Sequence, residues 1–241
     1  MGYIIFNGAS SRDIGMEVET FPARKRPALD YEATHITGRS GDLLYSRKAF
    51  ANVEQEYVVS VWDGRTAYSD LLDRVNDWLY GNGDYARLED SYDPEHYRLA
   101  YYAADTDFDN LFNEAGRGTI TFVCKPQRFL KTGEIPLTFT ASGGKIMNPT
   151  PYPAAPLLRV YGSAGAKMQI AGEVISFESW STPGDFIDID CELMDAYTGT
   201  VNQNSRIRCD AFPVLPGNTV SEITWTGNIS KIIVWPRWWR L

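Results

Sequence analysis

The sequence predicts a mainly β chain with one helix, laid out as an N-terminal α+β split-barrel domain over residues 1–133 and a C-terminal β-sandwich over residues 134–241. Three observations predict it. Short runs of alternating apolar and polar residues recur along the chain, each bounded by Gly, Pro, Asn or Asp. Only one segment changes to a helical period. A stretch over residues 125–150, with Pro126, Pro136, Gly143, Gly144 and Pro149, then breaks the pattern for long enough to mark a domain boundary. At 241 residues the chain exceeds what one compact domain usually needs.

The first strand signal is residues 3–6. A second follows in Val53, Tyr57, Val59 and Val61, which share one face of an alternating run while Glu54 and Glu56 face the other way. Over residues 66–80 the apolar positions Leu71, Leu72, Val75, Trp78 and Leu79 recur at three- and four-residue spacing, and Gly81 and Gly83 follow as stop signals. This is the one helix, roughly 22 Å long at 1.5 Å per residue. Alternating runs at residues 85–88, 97–103 and 119–124 complete a domain of strands with one packed helix, an α+β or split-barrel plan.

Beyond the boundary, short strands are expected at residues 157–161, 168–170, 174–177, 186–191, 206–210 and 232–235, with no helix between them. Phe212-Pro213-Val214-Leu215-Pro216-Gly217-Asn218 is a turn. The strands around Trp225 and over residues 231–235, separated by Gly227, read as a closing β-hairpin of the sandwich.

Composition excludes several functions. A net charge of −8, with no basic cluster longer than Arg24-Lys25-Arg26, argues against a nucleic-acid groove. That cluster lies between Pro22 and Pro27 and reads as a solvated, extended arm, or alternatively as an intersubunit contact. The opening apolar run is too short for a signal peptide, and nowhere do about 18 apolar residues run together. A soluble chain without classical export or membrane insertion is expected. Cys124, Cys191 and Cys209 show no CxxC spacing and read as small buried residues in a reducing compartment, although Cys191 and Cys209 could pair. Asn228-Ile229-Ser230 fits the glycosylation sequon by chance.

Catalytic and ligand motifs fail on context. His35 and His96 are isolated from any Cys or HExxH pattern, so neither zinc nor a histidine-based triad is signalled. Residues 38–41 and 162–165 lack the GxSxG spacing and read as turns. Gly81-Asn82-Gly83-Asp84-Tyr85-Ala86 matches the dinucleotide pattern in letters, but a helix precedes it where a strand is required. Ser142-Gly143-Gly144-Lys145 suggests a phosphate loop, yet Phe139 stands in place of its first Gly and Ile146 in place of its Ser/Thr, leaving a flexible connector.

The sharpest chemical candidate is the run Asp188, Asp190 and Glu192, placed on one strand face with Ile187, Ile189 and Cys191 on the other. Neighbouring carboxylates would stand about 6.6 Å apart, at the low end of an inverting glycosidase's range. Groups side by side on one strand cannot flank a scissile bond, however, and a solvated sheet face is the reading preferred. Calcium is disfavoured because the EF-hand frame and its Gly are absent. Trp180, Trp225, Trp235, Trp238 and Trp239 all fall in the second domain; they suit core or interface better than a sugar platform. No catalytic residue, cofactor or metal is assigned.

Taken in order, the landmarks resemble the distal tail protein family of long-tailed bacteriophages over nearly the whole chain. The N-terminal half offers Ile36-Thr37-Gly38-Arg39-Ser40-Gly41-Asp42-Leu43-Leu44, the strand through Val61, the helix ending in Trp78-Leu79, and Ile120-Thr121-Phe122-Val123-Cys124-Lys125-Pro126-Gln127-Arg128-Phe129. The C-terminal half adds Asn148-Pro149-Thr150, Pro156 before Leu157, Ile189-Asp190-Cys191-Glu192, Asn202 with Asn204, and the run Phe212 to Asn218. Arg39-Ser40 and Pro126-Gln127-Arg128-Phe129 depart from the family's Arg-Asn or Arg-Asp and Tyr-rich forms.

The resemblance implies a split-barrel N-terminal domain that assembles six copies into a ring, with a galectin-like sandwich outside it. It implies a structural hub of the virion tail tip and not an enzyme, made in the host bacterial cytoplasm. Its expected partners are the tail-tube protein, a tail-associated fibre or lysin, and in some phages receptor-binding or baseplate proteins. The segments 21–27 and 37–47 suit the clasping arms such a ring needs, which makes Phe21, Arg24, Lys25, Arg26, Arg39, Asp42, Leu43, Leu44 and Arg47 the candidate interface residues. The rival readings are a carbohydrate-binding module and, more weakly, a cell-wall glycoside hydrolase using Asp188, Asp190 or Glu192.

Overall fold

The computed structural model describes residues 1–62, 64, 66–104, 108–111, 115–180 and 185–241. Contacts divide the chain into two units, Met1–Arg128 with Leu241 and Phe129–Arg240. Among the described residues the fold is mainly β with one α-helix.

In the first unit an antiparallel sheet runs in the order Ala9–Ser10, Ile4–Phe6, Ala86–Asp90, His96–Tyr102, Ala115–Cys124, Val53–Val61, Met16–Val18. Alternation drives it: along Val53–Val61 every second residue is buried, as the period-two pattern requires. The sheet curls until its two sides meet. Gly2, just before Ile4–Phe6, and Val18, in the last strand, exchange both backbone hydrogen bonds at 2.9 Å. The opposite wall is split. His96–Tyr102 pairs with the end of Ala115–Cys124 from Phe122 to Cys124, whereas the beginning of that long strand pairs with Phe108–Leu111.

The helix Tyr68–Tyr80 packs at this split. Leu71, Val75 and Leu79, one face at i, i+4 and i+8, are buried in the barrel core with Phe6, Val59 and Phe122. Its ends are tied by Tyr68, whose hydroxyl donates to the Phe108 carbonyl at 3.4 Å, and by Tyr80, whose hydroxyl donates to that of Ala104 at 3.0 Å. The helix begins two residues later than the sequence predicts. Ala67 takes the cap position, and an alanine has no side-chain acceptor to offer there.

The second unit is a two-sheet sandwich. One sheet orders Leu137–Phe139, Ile229–Trp235, Leu157–Gly162, Phe186–Asp190, Asp195–Thr198, Val201–Asn202; the other orders Gly144–Met147, Val220–Thr226, Lys167–Ile170, Glu173–Phe177, Ile207–Arg208. Leu158, Ile187, Ile189 and Val234 from the first meet Met168, Ile170, Phe177 and Ile223 from the second in one buried core.

Three expectations are corrected here. Val220–Thr226 and Ile229–Trp235 are not a hairpin: the first pairs with Gly144–Met147 and Lys167–Ile170, the second with Leu137–Phe139 and Leu157–Gly162. The reversal at Gly227 therefore carries the chain from one sheet to the other. Ser142 to Lys145 is no flexible connector, because Gly144 and Lys145 begin a paired edge strand and Ser142 exchanges hydrogen bonds with Trp225. The expected strand over 206–210 shrinks to Ile207–Arg208 after a short 3-10 turn.

Candidate assembly surface

Residues 35–42 link Leu29–Thr34 to Leu43–Phe50, and among the described residues these two strands pair only with each other. Gly38 and Gly41, with φ of 83° and 81°, take the left-handed turns that reverse the chain. Nearly every residue from Tyr31 to Tyr45 is exposed, including Leu44 at 64% and Tyr45 at 65%. A two-stranded hairpin is marginal in water by itself, and one that exposes several large apolar side chains is a candidate interaction surface.

The register gives this hairpin two unlike faces. Tyr31, Ala33 and Leu44 lie on one, since Ala33 is opposite Leu44 and Tyr31 opposite Ser46. Glu32, Leu43, Tyr45 and Arg47 lie on the other, where Arg47 is 3.2 Å from Glu32 and 3.9 Å from Asp30. Tyr31, Ala33 and Leu44 carry no charge; the reverse face is laced with ion pairs.

The structure places the nine candidate residues in two groups. Arg39, Asp42, Leu43, Leu44 and Arg47 belong to the hairpin, with Asp42 3.3 Å from His35 Nδ1. Phe21, Arg24, Lys25 and Arg26 belong to the strap that leads into it. This strap is pinned to the first unit: Phe21 packs edge-on to Tyr92 at 5.0 Å, buried Gln55 donates to the Ala23 carbonyl at 3.0 Å, and Lys25 reaches Glu56 at 2.6 Å. Arg24 approaches Asp93 at 3.6 Å. Burial would raise the Asp93 carboxyl, but His96 and Arg128, at 2.7 and 2.6 Å, outweigh it and hold it below the ordinary value. Tyr31, Ala33 and Tyr45 were missed by the sequence reading; their signal is the alternation Leu29-Asp30-Tyr31-Glu32-Ala33, interrupted by a register shift between Leu29 and Tyr31.

The acidic run in the second unit is not a solvated face. Asp188 and Asp190 are each only 4% exposed. Arg159 donates to both oxygens of Asp188 at 2.7 and 2.8 Å, and Arg237 to both oxygens of Asp190 at 2.8 Å. Asp190 Oδ1 also accepts from the backbone N–H of Glu192 and Leu193, so the strand ends at Asp190 and Glu192 falls in the turn. Burial would raise the Asp190 carboxyl; the hydrogen bonds from Arg237 and from these N–H groups prevail and lower it. A glycosidase acid needs the opposite shift and a free oxygen aimed at its leaving group.

The tryptophans of this unit are also engaged. Indole N–H groups of Trp180, Trp225 and Trp239 donate to the carbonyls of Asp185, Ile229 and Pro153, Trp239 stacks on Tyr152 at 4.6 Å, and Trp238 is buried. Cys124, Cys191 and Cys209 are free thiols, with burial pushing Cys124 and Cys191 up to about 12. Among the described residues no cluster of His, Cys, Asp and Glu could hold a metal ion.

No protein-family model matches the chain, and no curated protein sequence matches it. Among solved structures, it is similar to the crystal structure of the SPP1 Dit (gp 19.1) protein, presented as a paradigm of the hub adsorption apparatus in phages infecting Gram-positive bacteria. The TM-score is 0.77 over 100% of both chains, at 12% sequence identity. At that identity the likeness is one of fold.

Proposed function

We propose that this chain is a structural hub of a long-tailed phage tail tip, a distal tail protein without enzymatic activity. Six copies form a ring through the first unit, joining the tail tube to a tail-associated fibre or lysin. The second unit, a galectin-like sandwich, faces outward toward receptor-binding or baseplate components. The virion tail tip is then its location, after synthesis in the host bacterial cytoplasm.

The observation that carries this reading is the end-to-end fold likeness to a phage hub protein, which spans both units and not one widespread module. The exposed hairpin supports it physically, because a ring of identical copies needs a projecting element that finds its cover on a neighbour. Against the carbohydrate-binding and hydrolase alternatives stand tryptophans that are packed or hydrogen-bonded, Asp188 and Asp190 in bidentate pairs, and Glu192, which falls in the turn beyond the strand and so off their shared face.

Light scattering on the purified chain, followed by electron microscopy of the same fraction, tests the proposal. Rings near six times the 27.1 kDa chain mass are expected, either alone or on adding the tail-tube protein. A chain that stays monomeric with that protein present and binds cell-wall polysaccharide overturns it in favour of the lectin reading.

A further inference from the structure

The first unit has a second exposed apolar feature that its own packing does not explain. Trp62 follows the last buried position of Val53–Val61 yet is 60% exposed, and it borders a recess of about 600 Å³ lined also by Met1, Arg12, Gly15, Glu17 and Ser60. Among the described residues no hairpin residue lines that recess. Large exposed aromatics beside a concavity are the usual anchors of protein interfaces.

We infer that the recess around Trp62 receives the uncharged Tyr31, Ala33 and Leu44 face of the hairpin from a second copy of this chain. The inference rests on the assembly reading above and names the surface through which assembly proceeds. Two features select this occupant. Tyr31, Ala33 and Leu44 are exposed and carry no charge, whereas the reverse face holds the ion pairs of Arg47 beside Leu43 and Tyr45, so the former side chains leave water at the smaller desolvation cost. Charge agrees as well. Glu17, on the rim of the recess, meets Arg12 only at 3.8 Å with both side chains nearly half exposed, which leaves its carboxylate open to a closer cation. Arg39, in the loop of the hairpin, is exposed and among the described residues pairs with no acid.

Because the donor and acceptor surfaces differ, the contact is heterologous. Each copy uses its hairpin on one neighbour and offers its recess to another, and such a contact repeats around a ring when the rotation closes. Trp62 supplies a rigid, wide apolar surface for Leu44 and Tyr31, and its indole face suits an arginine such as Arg39.

Cysteine cross-linking between two preparations tests this. Leu44→Cys and Ser60→Cys chains are mixed and treated with a short bismaleimide, and each variant alone and the unsubstituted chain are treated in parallel. The mixture is expected to give a cross-linked dimer at least about tenfold above any single preparation, and Trp62→Ala to weaken self-association about tenfold or more at an unchanged unfolding midpoint. Chains that assemble but cross-link no better in the mixture than alone overturn this contact and leave the hub reading standing. Chains that neither assemble nor cross-link even with the tail-tube protein present overturn both.

Discussion

Arg237 closes a bidentate pair on Asp190, 47 positions earlier in the chain, at 2.8 Å for each of its two hydrogen bonds. Asp190 is almost fully buried and also anchors the turn after its strand, so the pair joins the end of one sheet strand to the segment beyond Ile229–Trp235. Removing only the cation leaves a buried carboxylate without its partner. Arg237→Ala is therefore expected to cost about 3 kcal/mol or more in urea unfolding of the chain. Asp190→Asn keeps an oxygen for the Glu192 and Leu193 N–H groups, and the Arg237 cation it leaves behind is a quarter exposed and has Glu192 at 3.7 Å as a second carboxylate, so its loss is smaller. An Arg237→Ala loss below that of Asp190→Asn would contradict this account.

The same pair sets an acid limit. The Asp190 carboxyl is lowered in the folded chain from its ordinary 3.8, so it contributes stability at pH values above that and loses it as pH falls through the lower folded value. Asp93 in the first unit behaves alike, held down by His96 and Arg128. Urea midpoints are expected to be insensitive to these two groups near neutrality and to fall below about pH 4. In Asp190→Asn the fall should be shallower by up to about 1.4 kcal/mol per pH unit. An equally steep acid limb in that variant would show that other carboxylates govern it.

A third prediction concerns Asn148, which is buried and uses every polar atom of its amide. Its Nδ2 donates to the carbonyls of Tyr152 and Leu215 at 2.9 and 3.1 Å, and its Oδ1 accepts from the Thr150 N–H and hydroxyl at 2.9 and 2.8 Å. Asn148→Ala leaves those groups unmet and is expected to cost about 2–3 kcal/mol. Asn148→Asp costs more although it is nearly isosteric, since it turns a donor into an acceptor facing two carbonyls. Paired urea titrations of the two variants decide the order.

These residues also show what the sequence made legible. Asn148-Pro149-Thr150 and the run from Phe212 to Asn218 could be seen as signatures, but their meeting, through Asn148 to Leu215, a bridge between Ala154 and Leu215, and Asn218 N–H on the Thr150 carbonyl, depends on packing across the unit. Strands such as Val53–Val61 were readable because one face is buried and the other wet. The reversal at Gly227 was misread because turn residues specify a change of direction, while Met168 opposite Trp225 and Leu158 opposite Val234 decide that the strands enter different sheets. Burial of Asp188 and Asp190 was invisible since their arginines lie 29 and 47 positions away.

Gly227 gives a further prediction from that crossing. Its φ is 78°, and a Cβ there would meet the Ala166 Cα at 2.8 Å, whereas Gly8, at φ 82°, faces open space. Gly8→Ala is expected to cost about 1–2 kcal/mol from the left-handed backbone alone. Gly227→Ala carries that same cost plus about 1–3 kcal/mol of overpacking against Ala166. Equal thermal midpoints for the two variants would mean that the chain relaxes around the crossing.

Leu44 and Leu71 separate assembly from folding within one unit. Leu71 is fully buried on the inner face of the helix, so Leu71→Ala should cost about 2–5 kcal/mol of stability. Leu44→Asp changes a residue that touches mostly water in the isolated chain and should leave the unfolding midpoint within about 0.5 kcal/mol of the parent. It places a carboxylate in the uncharged face beside Tyr31 and Ala33, where burial against a neighbour would strip that charge of water, so sedimentation should show loss of the assembled species at concentrations where the parent forms it. If Leu44→Asp instead lowered the midpoint as Leu71→Ala does, the hairpin face would be packing on its own chain in solution, and the case for a neighbour covering it would fail.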